Sequence, residues 1–284
     1  MTLQIGPWQL DSVHGGSFRS DGGAMFGVVP RVLWTRHVEP DEKNRIPSRC
    51  HCLLARDGKH TVLVDTGYGP KCSPRLKELF ALEEGNPLLE SLKRLGVPPE
   101  EITHVVLTHL HFDHAGGGTL RDEGGELRLA FPRARYVVQR LEWEVATSRA
   151  PELAGAYPQE NLQPLEEQGV LELLDGPAEY LPGLWLLPTG GHTQGHQVVL
   201  FRSGEQGALY PADICPSSLH LATMWCMAFD TEVVQTRRVK RHWLRQAAQH
   251  RWWVIWDHDP QQAAARVVAD SKREFVVSES REVV

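Results

Sequence analysis

The sequence predicts an α/β chain whose helices cover β-sheets, and three observations predict it. Short runs rich in β-branched and aromatic residues recur along the chain, and windows of helical length and periodicity stand between them. The C-terminal third repeats the same order, a helix leading into a buried strand. Gly and Pro fall between these runs as turn residues, with no low-complexity segment or Pro-rich linker.

From the N-terminus, residues 14–47 are the first distinct segment. Glycines at 15, 16, 22, 23 and 27 predict a long loop, yet Phe26 and Trp34 make it too apolar for a linker. Such a loop either frames a binding site or packs those two rings on the core beneath. Residues 61–64 predict a strand, and residues 73–83 and 87–95 predict helices ending at Gly85 and Gly96. Strands follow at 104–107 and 136–139, a helix at 140–147, and strands at 184–187 and 198–201. Residues 236–250 carry helix-length alternation, and the string 231–250 followed by 252–256 reads as a helix leading into a buried strand.

With 284 residues, 41% hydrophobic composition and nine tryptophans, the chain can bury a large core, and a single domain over 1–284 is expected. The net charge of −6 and the lack of a basic run exclude a footprint built on phosphate neutralisation, so the expected partner is a small molecule rather than nucleic acid. Residues 1–13 lack the basic-then-apolar pattern of a leader, and no segment approaches the roughly 20 apolar residues that span a bilayer. A cytoplasmic protein without a membrane partner is expected, with a homodimer left open. Five cysteines, Cys50, Cys52, Cys72, Cys215 and Cys226, make an odd count that predicts free thiols rather than a disulfide framework. Cys50-His51-Cys52 lies in an apolar run whose side chains alternate between faces, and no second ligand pair follows it, so it is not read as a metal site.

The chemistry concentrates in Thr108-His109-Leu110-His111-Phe112-Asp113-His114-Ala115-Gly116-Gly117, directly after a predicted strand. Extended side chains alternate, so His109 and His111 point the same way and can reach one ion, while Asp113 and His114 start a new turn aimed at a second point nearby. Three histidines and an aspartate crowded at one strand end repel when protonated and desolvate expensively when buried, unless a cation compensates. Further candidates also lie past predicted strands: His192 in Gly191-His192-Thr193-Gln194-Gly195-His196, then Asp213, then His258. Asp65 in Val64-Asp65-Thr66-Gly67 occupies the same kind of place and is read as a carboxylate that orients a ligand histidine.

His-x-His-x-Asp-His, the later Gly-His-Thr-x-Gly-His, a lone Asp and a late His resemble the signature of the metallo-β-lactamase superfamily, and the likeness in order and spacing runs over nearly the whole chain. The resemblance implies a four-layer αβ/βα sandwich, two mixed sheets flanked by helices. It implies one metal ion on His109, His111 and His192, another on Asp113, His114 and His258, and Asp213 bridging them. It places His196 behind the ligands or toward substrate. Members that cleave β-lactams tend to carry cysteine where Asp213 stands, and the flavodiiron pattern has glutamate in place of His111, so hydrolysis of another substrate is the expectation.

Two divalent ions against two aspartates leave a positive excess that lowers the pKa of a bridging water, so a hydroxide is expected to attack a carbonyl polarised by one ion. Asp113 is the candidate proton shuttle to the leaving group. Zinc is the first expectation for both ions, although imidazole and carboxylate also suit iron, manganese and cobalt.

The layout resembles the acyl-homoserine lactonase and esterase branch, with Val138-Gln139-Arg140-x-Glu142 after the metal motif. A lactone or carboxylic ester is therefore the first expectation for substrate. Those lactonases place a substrate-contacting tyrosine three residues beyond the bridging aspartate, where this chain has Pro216. A phosphotriester, a glyoxalase II-like thioester, or an iron-containing redox role are the alternatives. Trp225, Met224, Met227 and Phe229, with Phe26 and Trp34, are candidates to line a pocket for an apolar group or else belong to the core. His14, His37, His220, His242 and His250 carry no motif and are read as surface or packing residues.

Overall fold

A computed structural model describes residues 1–153 and 155–282, so the single-domain span 1–284 includes Ala154, Val283 and Val284 outside the described residues. In chain order the strands are β1 Thr2–Ile5, β2 Trp8–Asp21, β3 Arg45–Arg56, β4 Thr61–Val64, β5 His104–Val106, β6 Thr119–Arg121, β7 Leu127–Leu129, β8 Arg135–Gln139 and β9 Leu171–Leu174. Then come β10 Ala178–Leu181, β11 Leu184–Pro188, β12 Gln197–Ser203, β13 Gln206–Tyr210, β14 Trp253–Ile255, β15 Gln262–Asp270 and β16 Glu274–Glu282. The helices are α1 Gly22–Phe26, α2 Arg31–Trp34, α3 Pro74–Phe80, α4 Pro87–Arg94, α5 Phe112–Ala115, α6 Arg140–Thr147, α7 Gln163–Glu167 and α8 Val233–His250. None is long and apolar enough to cross a membrane.

The chain forms two compact units, one of Thr2–Ser17 and Cys50–Gly176, the other of Phe18–Arg49 with the residues from Pro177 on. The first holds most of a seven-stranded sheet of order β1-β2-β3-β4-β5-β8-β9. Its β4, β5, β8 and β9 run parallel, because each connection between them passes through helices or a small β6–β7 hairpin. Parallel strands buried on both faces read as unbroken apolar runs, as Val62–Val64 and Val105–Val106 do here, all fully buried. Asn86 caps α4 by accepting from Leu89 N at 3.2 Å, and Leu88 and Leu92 seat the helix in the core beside Leu63, Val105 and Tyr136.

The second unit carries the sheet β10-β11-β12-β13-β14-β15-β16. All its pairings are antiparallel except β13 with β14, whose crossover is α8. On α8, Thr236, Lys240, Leu244 and Ala247 fall three or four residues apart and form one buried stripe. Lys240 is unusual in that stripe: its ammonium donates to Ala222 O at 3.0 Å and Trp225 O at 2.6 Å, so the buried charge is hydrogen-bonded and ties down the 222–226 segment.

Residues 14–47 are not a long loop. Residues 14–21 continue β2, and α1 and α2 follow before β3 begins at Arg45. The glycines misled because two of them belong to a strand. A Cβ at Gly15 would sit 2.8 Å from Cys52 Sγ, and at Gly16, with φ +125°, 2.3 Å from the Tyr68 ring. The helices expected at 73–83 and 231–250 are shorter: α3 stops at Phe80, closed by Ala81 in the left-handed region, and α8 starts at Val233.

Candidate metal centre

The candidate ligands stand where strands run out, at the carboxyl ends of β4, β5, β11, β13 and β14. In the first unit the turn after β4 puts Asp65 in the left-handed region, φ 56°, with its side chain under the segment that follows β5. The Asp65 carboxylate accepts from Thr108 N at 2.8 Å, from Thr108 Oγ1 at 2.8 Å and from His114 Nδ1 at 2.9 Å. Because the Thr108 hydroxyl proton goes to Asp65, its oxygen accepts from His109 Nδ1, 3.1 Å away. Both imidazoles therefore carry the proton on Nδ1 and turn Nε2 outward as a lone pair. His109 Nε2 lies 3.1 Å from His111 Nδ1, and the His109 and His114 rings are 4.0 Å apart.

His111 is the residue before α5, and Asp113 lies in its first turn, so Asp113 and His114 leave the extended direction of His109 and His111. His109 and His114 are buried, His111 and Asp113 half-buried. The turn is held tightly from below: a Cβ at Gly117 would lie 2.1 Å from Thr66 O, so only glycine admits that approach. Glu142, fully buried on α6, accepts from Leu110 N at 2.9 Å and fixes the chain between the two leading histidines.

In the second unit, Asp213 sits in a short 3-10 turn after β13 with its two oxygens facing different histidines. Oδ2 is 2.9 Å from His192 Nε2 and Oδ1 is 3.2 Å from His258 Nε2. The other ring nitrogens are already committed: His258 Nδ1 donates to Arg49 O at 2.8 Å, and His192 Nδ1 to Asp230 Oδ1 at 2.9 Å. Lone pairs of two imidazoles thus converge on one carboxylate, an arrangement that repels unless a proton or a cation lies between them. Asp257 joins this group, with ligand atoms of Asp213, Asp257 and His258 all within 4.8 Å of one another. Burial disfavours a charged His192, but Asp213 and Asp230 on either side overcome it and raise its pKa to about 10. The field that draws a proton there would draw a divalent cation as well. The donors present therefore fit a metal of the imidazole and carboxylate class.

His196 lies four residues after His192, ring centroids 6.0 Å apart, and its Nδ1 bonds Thr189 Oγ1 at 2.8 Å. Pro216 is placed with its carbonyl accepting from His258 N at 2.9 Å. Of the expected pocket residues, Phe26, Trp34 and Met227 are buried in a core cluster with Met25, Val29 and Ile46. Trp225 is half-buried against Phe26, whereas Met224 and Phe229 are 52% and 44% exposed. His220 is buried, stacked on Phe26 and bonded to Met25 O; His37, His242 and His250 are exposed, and His14 pairs with Glu83. Cys50, Cys52, Cys72, Cys215 and Cys226 form no disulfide among the described residues, and four of them are buried. Sequence reasoning missed Asp230 and Asp257. Asp257 was visible as the acidic neighbour of a ligand candidate, but nothing around Asp230 marks it.

Residues 45–225 match the metallo-beta-lactamase superfamily, and the chain belongs to that superfamily. An N-acyl homoserine lactonase from a Bacillus species is 32% identical over 181 residues, which take in 60% of this chain and 64% of the lactonase, so the chain spans less than two thirds of that relative's length. A probable metallo-hydrolase of Mycobacterium tuberculosis is 27% identical over 221 residues, 67% of this chain and 66% of its own. Among solved structures, a probable metal-dependent hydrolase from Staphylococcus aureus superposes with a TM-score of 0.88 at 28% identity, covering 98% of this chain and 100% of its own. AidC, a dizinc quorum-quenching lactonase in complex with a product, superposes with a TM-score of 0.81 at 20% identity, covering 100% and 98%, a likeness of fold. The chain has the metallo-beta-lactamase fold, mixed sheets with flanking helices, and His and Asp groups that could hold metal.

Proposed function

We propose that the chain is a dinuclear metal-dependent hydrolase that opens a lactone or carboxylic ester. The observation that carries this reading is Asp213, whose two oxygens face His192 Nε2 and His258 Nε2, the disposition a carboxylate shared by two ions needs. Membership of the superfamily and the lactonase relatives support it. In this reading His109, His111 and His192 hold one ion, Asp113, His114 and His258 the other, and Asp213 both. Zinc is the first candidate; iron, manganese and cobalt suit the same donors.

Two divalent ions bound by these residues would supply Lewis acidity and a water acidic enough to act as nucleophile near neutral pH. The chain's own residues do the rest. Asp65 and Thr108 hold His109 and His114 in the tautomer that turns Nε2 outward. Asp113, half-buried in the first turn of α5, takes the proton of the attacking water and returns it to the leaving oxygen. His196, tied to Thr189, supports the His192 turn. Trp225, with Met224 and Phe229 beside it in sequence, offers an apolar surface to the substrate's chain, and Phe26, Trp34 and Met227 support it from the core. Proline at 216 offers no hydroxyl, so the substrate class is a lactone or ester without commitment to an acyl-homoserine lactone. We place the protein in the cytoplasm, acting as one domain on a small molecule.

The test is a hydrolysis panel of lactones, aryl esters, a glutathione thioester and a phosphotriester, run on the purified chain and on Asp213→Ala. Lactone or ester turnover that the variant loses supports the reading; turnover confined to the thioester or the phosphotriester contradicts it. Trp225→Ala raises KM for long-chain substrates more than for short ones if the apolar surface is used, and equal loss at all lengths removes that part.

A further inference from the structure

We propose that Asp230 is a positioning residue for His192, holding its imidazole as the Nδ1–H tautomer so that Nε2 presents its lone pair beside Asp213; this rests on the reading of His192 as a metal ligand.

The Asp230 side chain is 0% exposed. One oxygen accepts from His192 Nδ1 at 2.9 Å, and the other has no hydrogen-bond partner among the described residues. A carboxylate enclosed with a single hydrogen bond is expensive unless that partner carries positive charge, and an imidazole bound to a cation does. The opposite tautomer would set the Nδ1 lone pair against Asp230 at 2.9 Å, acceptor facing acceptor.

The segment that carries Asp230 also grips the backbone beneath the ring. Thr231 N and Oγ1 donate to His192 O at 3.0 and 3.1 Å, and Glu232 N donates to Gly191 O at 2.8 Å. Gly191, at φ +94°, lies so close to the start of α8 that a Cβ there would meet Thr236 N at 2.8 Å. The ring is thus fixed at its nitrogen by Asp230 and at its main chain by the next two residues, so neither rotation nor translation of Nε2 is left to chance.

The experiment uses the whole chain stripped of metal and refilled with cobalt(II) in competition with a chelator, for the wild type and for Asp230→Asn. Asn keeps the shape, removes the charge and tolerates either tautomer. The variant is expected to bind the more weakly held cobalt roughly 10- to 100-fold less tightly, with its thermal transition without metal close to that of the wild type. Nitrogen-15 NMR of the wild type refilled with zinc is expected to show His192 protonated at Nδ1 and not at Nε2. Equal cobalt affinity in the two proteins, or protonation at Nε2, overturns the proposal. If Asp230→Asn does not fold, the tautomer of the wild type decides alone. A wild-type chain that takes up no cobalt overturns the ligand reading beneath it, and the two failures differ because only the second leaves the wild type empty.

Discussion

A histidine whose Nδ1 proton is already donated can offer a cation only Nε2, and four histidines here are committed in that way: His109 to Thr108, His114 to Asp65, His192 to Asp230 and His258 to Arg49 O. Asp65 governs two of them. Asn tolerates the left-handed backbone at that position, so Asp65→Asn isolates the carboxylate. It should lower affinity for added metal by roughly 10- to 100-fold in a chelator titration, and unchanged affinity would show that Thr108 and His114 need no such anchor. His220 gives a second prediction. Its burial depresses its pKa to about 3, so the folded state keeps it neutral while the unfolded state takes up a proton below about 6.5. Its contribution is whole above pH 6.5 and is lost as pH falls toward 3, by up to about 1.4 kcal/mol per pH unit. Denaturant titrations of the wild type and His220→Gln between pH 7 and 4 should therefore converge as pH falls; parallel curves would contradict this. At this scale the candidate ligands stood out because four titratable groups crowd into six residues. Asp230 was not, because a single carboxylate reaching back 38 residues leaves no pattern.

Secondary elements were legible in proportion to their burial. The strand at 61–64 and the helix at 140–147 match β4 and α6, and the strands near 104, 136, 184 and 198 differ from β5, β8, β11 and β12 by one or two residues at one or both ends. The β1–β2 and β15–β16 hairpins went unread. In β16 the run Ser278-Glu279-Ser280-Arg281 is mostly exposed and polar, so it lacks the apolar signature of a strand while its backbone pairs along β15. The glycine-rich stretch at 14–21 was misread for the opposite reason: in β2 the missing Cβ makes room for Cys52 and Tyr68. The same physics applies to the turn after α5. Gly117→Ala should destabilise the fold by about 1–3 kcal/mol or more, read as a shift in urea midpoint, because the Thr66 carbonyl lies where the methyl group would go. A shift near zero would show that the 65–69 and 116–118 segments can part.

For the whole chain, α/β class and sheets covered by helices followed from strand and helix order, whereas the division into two units did not, because neither unit is continuous in sequence. The chain passes from one to the other inside β2, inside β3 and between β9 and β10. The proposal that it acts as one domain predicts a single thermal transition with tryptophan fluorescence and far-ultraviolet circular dichroism coinciding, and two separated transitions would contradict it. Elemental analysis of the purified chain beside Asp213→Ala tests the proposed dinuclear centre. Two equivalents of a zinc-class metal per wild-type chain and a marked loss in the variant are expected. One equivalent or none in the wild type, or two retained without Asp213, would contradict it.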